Sequence, residues 1–222
     1  MNNLASDAKK FFSQLSKNNN KQWFDAHRLE YDENILAPAK EFVMRLGEEL
    51  QKLAPGIIAD PRINKSIFRI NRDLRFSKDK TPYKTHIAIL LWEGSAPKME
   101  NPGFYAHISA KEITVGAGLY HFPKEILEAY RNRIQIEHQN IILNKIIASL
   151  MKKGFNISGK HYRRFPAGFN TKLENPQLLL HNGISAWRTF PNNSKSPDLL
   201  SLCTAMFKDT LGLHKWLVEL CT

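Results

Sequence analysis

The apolar residues of this chain change their spacing part-way along it, and the change limits the fold class. From residue 4 to residue 53 they recur at helical intervals. Leu4, Ala8, Phe11, Phe12 and Leu15 share one face of a helix over 4–16. Trp23, Phe24, His27 and Tyr31 mark a second helix at about 21–33, which Asn18-Asn19-Asn20 can cap. Ile35, Ala39, Phe42, Val43, Leu46, Leu50 and Leu53 form a third, with Pro38 near its start and Pro55-Gly56 as its stop.

The spacing then falls to two. In Ile67–Phe76, Phe68, Ile70, Leu74 and Phe76 point one way, and Arg69, Asn71, Asp73 and Arg75 the other. This predicts a strand in which Arg72 breaks the alternation, through a bulge or by entering the interior. His86–Trp92 is apolar on both faces and reads as a central strand. Phe104–Ala110 and Glu112–Tyr120 read as two more, joined by a tight turn at Ala110-Lys111. Gly116 and Gly118 leave one face of the last strand bare, which suggests close approach of a backbone or a ligand.

Helical spacing returns after Pro123, with helices predicted to about Ile134 and from about Glu137 to Met151, the second ended by Gly154. Residues 155–170 are basic, aromatic and irregular. A short helix carries Leu178, Leu179 and Leu180, and Ile184–Phe190 reads as a further strand. Pro197 opens a last helix that buries Leu199, Leu202, Met206, Leu213, Trp216, Leu217 and Leu220. Helices at both ends of a run of antiparallel strands give an α+β fold. The expectation is a single domain over 1–222: helical at 1–55, a mainly antiparallel sheet of about four to five strands at 63–121, and helical at 122–222.

Composition narrows the setting. With 222 residues, 42% of them hydrophobic, the chain can bury a sizeable core and is not of the disordered class. It has no apolar run of membrane-spanning length and no signal-peptide layout at its start, so a cytoplasmic protein with no membrane partner is expected. Cys203 and Cys221 show no CxxC spacing and are expected as reduced thiols. The net charge of +11 favours anionic partners, either small molecules or nucleic acid.

The densest chemistry lies in Ile67–Lys84, which holds Arg69, Arg72, Arg75, Lys78, Lys80 and Lys84 with Asp73, Asp79 and Tyr83. Guanidinium groups at alternate strand positions present parallel forks suited to phosphate or carboxylate. Tyr83 offers a hydroxyl to the same anion. The expected ligand-binding residues are Arg69, Arg72, Asp73, Arg75, Asp79, Lys80 and Tyr83. The competing reading is structural, with Asp73 and Asp79 neutralising arginines that pin a loop to the sheet. His107, near Tyr105 and Glu112, is the candidate proton carrier if the chain is an enzyme, a question the sequence leaves open. The eight histidines form no HxH, HxxxH or HExxH, so no metal is expected. Val115–Tyr120 holds only a GxG, and no cofactor is expected. The run Lys152, Lys153, Lys160, His161, Tyr162, Arg163, Arg164 and Phe165 is the patch a nucleic-acid-binding module would use, against a plain solvated basic loop.

Arg69-x-x-Arg72-Asp73-x-Arg75-Phe76, followed by Asp79-Lys80-x-Pro82-Tyr83-Lys84-Thr85, resembles the signature of a bacterial family catalogued as domain of unknown function 2461. Asn18, Trp23, Phe24 and His27, then Val115–Tyr120 and Arg164–Phe169, resemble other parts of that family, so the likeness covers most of the chain. It implies an α+β fold and brings no assigned function and no catalytic residues. It marks Arg69, Arg72, Asp73, Arg75, Phe76, Asp79, Lys80 and Tyr83 as defining positions, all present here.

Overall fold

A computed structural model describes residues 4–193 and 198–222. Helix α1 (Leu4–Lys17) buries Leu4, Ala8, Phe11, Phe12 and Leu15, the stripe its spacing predicts. Asn20 caps α2 (Lys21–Ala26), its Oδ1 accepting from the Trp23 N–H at 2.9 Å. Helix α3 (Arg28–Tyr31) runs through a wider turn at Asp32–Leu36 into α4 (Ala37–Gln51). The long helix expected from Ile35 therefore begins in that turn.

Among the described residues six strands form one antiparallel sheet in the order β1-β2-β3-β4-β6-β5. They are β1 (Ile57–Ile58), β2 (His86–Glu93), β3 (Gly103–Ser109), β4 (Glu112–Leu119), β5 (Asn156–Lys160) and β6 (His181–Pro191). β2, β3 and β4 follow one another as a meander. The chain then leaves through α5 (Lys124–Gln135) and α6 (Glu137–Lys152), forms the edge strand β5, and returns as β6 between β4 and β5. The last helix, α7 (Leu199–Cys221), buries all seven apolar residues expected of it; Pro197, expected to open it, lies outside the described residues.

Two corrections concern the sheet. It has six strands, not four to five, because β1 and β5 carry no period-two signal of their own. The segment Ile67–Phe76 is not a strand. Only Ile67, opposite Ile89, and Asn71, opposite Tyr83, form isolated bridges there. Ser66 to Arg72 lies along β2 and its approach, with hydrogen bonds from Leu90 N–H to Ser66 O, Phe68 N–H to Ala88 O, Lys84 N–H to Ile70 O and Arg72 N–H to Pro82 O. Beyond Arg72 the ladder ends, because Pro82, whose carbonyl accepts from the Arg72 N–H, has no N–H to return the bond. A period-two pattern makes a strand only where a partner backbone runs beside it.

The sheet has two unlike faces. Ile113, Val115, Ala117 and Leu119 of β4, with Phe104, Ala106 and Ile108 of β3, join the main core beneath α1, α4 and α7. Phe104 packs on Phe207 and stacks on His214 of α7, and His214 Nε2 donates to Glu93 Oε2 at 2.7 Å. Ala88, Leu90 and Trp92 point to the opposite face and stand outside that core, although they too are buried. On that second face the cross-strand register places Tyr105 beside Gly116, Gly116 beside Trp187, Gly103 beside Gly118, and Gly118 beside Ser185.

Candidate ligand-binding cleft

Gly103, Gly116 and Gly118 leave a patch of the second face without side chains. Their first role is structural. A Cβ on Gly116 would lie 2.4 Å from the Ala186 carbonyl oxygen, and one on Gly118 2.2 Å from that of Ile184. Gly118 also has φ +148°, which L-residues with a side chain rarely adopt. The close approach of β4 to β6 thus requires glycine, and a bare floor results.

Around this floor stands a cleft of about 420 Å³, walled by Phe68, Leu90, Tyr105, Tyr120 and Trp187. Lys98, Met99 and Asn101 close one side from the β2–β3 connection, and Ser158 and Ser185 the other, their hydroxyls 2.8 Å apart. The volume and the mainly apolar wall with a few polar groups are those of small-molecule sites.

Two lysines flank Phe68. Lys98 Nζ lies 4.0 Å from the centre of its ring and donates to Lys65 O at 2.6 Å. Lys84 Nζ lies 5.7 Å from the ring and donates to Arg69 O at 2.8 Å. Desolvation lowers both lysine pKa values; neighbouring charge lowers them further, Arg69 acting on Lys84, and Lys84 and Lys65 on Lys98. Among the described residues neither lysine has a carboxylate within ion-pair distance.

His107 stands on the same face as Tyr105, opposite Thr114, and stacks on His86 with ring centres 4.1 Å apart. Desolvation, with the charges of His107 and Lys84, holds His86 down to about 4. Desolvation lowers His107 as well, against the opposing pull of Glu112. Tyr105 and Glu112 share this face with His107, as expected for sequential strands, but the arginines do not.

The arginine-rich stretch divides in two. Its first part supplies Phe68 to the cleft wall. Its second part is a loop folded on itself. The Arg72 guanidinium grips Asp79 and Thr81 and reaches Ser77 Oγ at 3.3 Å. Asp73 takes a bidentate pair from Arg75 at 3.0 and 2.7 Å, and Lys80 Nζ donates to Leu74 O at 3.0 Å. Tyr83 points away from this loop into the core, stacked on Phe24 at 4.2 Å. Arg72, Asp73, Arg75, Asp79 and Lys80 are thus brought together, Arg69 is exposed next to Phe68 in the chain, and Tyr83 is apart.

A family model described as a conserved hypothetical protein, DUF2461, matches residues 7–216. The chain belongs to the DUF2461 family. No curated protein matches it. The match takes in the arginine-rich loop, the cleft walls and all but the last residues of α7 of this DUF2461 chain.

The residues around the cleft that sequence reasoning missed are Phe68 as a wall, Lys98, Trp187, and the Ser158–Ser185 pair. The signal for the floor was present in Gly116 and Gly118. The basic stretch at 152–165 lies around β5, at the sheet edge away from β1. There Lys153 pairs with Asp209 at 2.5 Å, and the Arg131 guanidinium covers Tyr162 at 4.9 Å. Among the described residues no group of three or more His, Cys, Asp or Glu is placed to hold a metal, and no helix is long and apolar enough to cross a membrane.

Proposed function

We propose that this DUF2461 chain binds a small, flat, largely apolar molecule carrying an anionic group. Its body lies over Gly103, Gly116 and Gly118, and its charge is directed to Lys84 and Lys98. The observation that carries this reading is the side-chain-free floor ringed by Phe68, Tyr105, Tyr120 and Trp187. Flat ligands gain most from a surface where backbone is approached closely and rings stand at the edges. The anionic group is argued from the lysines: two partly desolvated cations without a carboxylate are stabilised by whatever anion joins them. This keeps the carboxylate- or phosphate-bearing ligand expected from the sequence and moves it from the guanidinium forks to the lysines. Arg69 remains available beside Phe68, while Arg72 and Arg75 are engaged by Asp79 and Asp73.

The test is a titration of the full chain with anilinonaphthalene sulfonate, an apolar anion whose fluorescence rises when it leaves water. Saturable enhancement is expected, weakened several-fold by Lys98→Met and by Trp187→Ala and unchanged by Arg72→Ala. Equal binding by the wild type and both cleft variants overturns the proposal. Loss of binding in Arg72→Ala alone returns the anion to the arginine-rich loop.

A further inference from the structure

Phe76 is the most exposed large apolar residue described, at 96% of its full accessibility. It stands at the tip of the loop whose interior is filled by hydrogen bonds. Ser77 Oγ donates to Asp79 O at 2.8 Å, the Thr81 N–H donates to Asp79 Oδ1 at 2.9 Å, and Arg72 ties the two arms together. None of these bonds shelters the Phe76 ring. The Arg75 guanidinium, fixed by Asp73, is held 6.0 Å from the ring centre. Lys78 is exposed next to it. The motif thus holds an aromatic ring and a planar cation side by side in water, in a loop that is already ordered. Pre-organisation of this kind lowers the entropy cost of binding.

We infer that this loop docks single-stranded nucleic acid, with a base stacked on Phe76 and the neighbouring phosphates at Lys78 and Lys80, which are exposed and have no carboxylate partner among the described residues. Charge complementarity selects the partner. Asp73 and Asp79 are taken up by Arg75 and Arg72, so Arg69, Lys78 and Lys80 give the loop a net positive charge on a chain of +11. An unpaired base offers a π face that a duplex keeps stacked, and base–aromatic stacking with cations along the backbone is how sequence-tolerant single-strand binding works. The inference is independent of the cleft. It also moves the nucleic-acid surface expected from the sequence, from the 152–165 patch to the signature loop.

The experiment is fluorescence anisotropy of a labelled oligothymidine titrated with the full chain at low salt. Binding is expected to weaken about tenfold in Phe76→Ala and to persist in Phe76→Trp. The logarithm of affinity is expected to fall with that of salt by about 0.7 for each phosphate engaged. The ring is exposed, so Phe76→Ala is expected to melt with the wild type. No affinity at low salt, equal affinity of Phe76→Ala and wild type, or equal affinity for duplex and single strand each overturns the inference. So does Phe76-dependent binding to phosphatidylserine vesicles by a chain that ignores the oligonucleotide.

Discussion

Asn19 holds one edge of the Tyr83 backbone with both ends of its amide. Its Nδ2 donates to Tyr83 O at 2.9 Å, and its Oδ1 accepts from the Tyr83 N–H at 3.1 Å. The residue between α1 and α2 thereby stands in for a neighbouring strand at the point where the chain leaves the arginine-rich loop. The Tyr83 ring is buried on Phe24, so both bonds fix one residue to the helical layer.

Asn19→Ala removes both bonds and leaves a backbone donor and acceptor without partners beside a buried ring. A loss of about 2 kcal/mol is expected, read as a lower urea midpoint with an unchanged slope. Asn19→Asp keeps the acceptor and is expected to lose less. An unchanged midpoint in Asn19→Ala means that water replaces the amide fully.

The Arg72–Asp79 ion pair predicts how the signature loop responds to acid. Asp79 is held down to about 2, first by the Thr81 backbone N–H and then by the Arg72 guanidinium; Asp73 is held to about 2, first by the Arg75 side chain. Both values lie below the ordinary 3.8, so the order these carboxylates impose is complete above that pH and is lost as pH falls toward 2. Arg72→Ala is expected to raise the Asp79 midpoint only part of the way, since the Thr81 bond stays, and to leave Asp73 unmoved. Carboxyl carbon shifts followed by NMR against pH measure both. An Asp73 that moves with Asp79 would show that the two arms of the loop titrate as one.

Helices α1 and α7 were legible in the sequence because each buries a single face against one core, and burial of one face enforces strict spacing. β2, β3 and β4 were legible as extended apolar runs between turn signals. Ile67–Phe76 misled because Ile67 and Ile70 do turn inward, yet the backbone between them meets β2 only in places. What ends the ladder is Pro82 on the facing segment, which has no N–H to donate and which no periodicity within Ile67–Phe76 records. β5 escaped because Asn156–Lys160 is a polar edge strand with Gly159 at φ +114°, without an apolar alternation to find. In the cleft, Gly116 and Gly118 announced a bare face, whereas Phe68 and Lys98 reach it from loops far apart in sequence.

The stacked pair His86 and His107 predicts a stability that falls in mild acid. His86 takes a proton near 6.5 when unfolded and near 4 when folded, so between these values the unfolded chain binds more protons. Its contribution is complete above pH 6.5 and is lost as pH falls to about 4. Desolvation, and then His107 and Lys84, oppose the proton on His86; at His107 the pull of Glu112 offsets only part of that residue's own desolvation. The whole span corresponds to roughly 3 kcal/mol. Urea midpoints at pH 7 and near pH 4 are expected to differ by this order in the wild type and by clearly less in His86→Gln. An equal difference in both would place the acid sensitivity at the other histidines with lowered values, His107, His181 and His214.

Lys98 separates binding from stability. Its ammonium group is partly desolvated, is repelled by Lys84 and Lys65, and is held by a carbonyl and the face of Phe68. Met of similar length keeps the apolar packing on the ring and ends the repulsion, while the exposed Lys65 carbonyl can turn to water. Relief of desolvation and of like-charge repulsion opposes removal of the cation–π attraction, which is worth about 1 kcal/mol, so Lys98→Met is expected to melt within about 3 °C of the wild type. An anionic probe in the cleft then lacks its nearest desolvated cation and is expected to bind several-fold more weakly, with little change for an uncharged naphthalene of the same shape. A large fall in melting temperature would instead make Lys98 a brace between the β2–β3 connection and Phe68. Weakening of both probes together would point to a collapsed cleft. Only weakening confined to the anionic probe assigns Lys98 to recognition of charge.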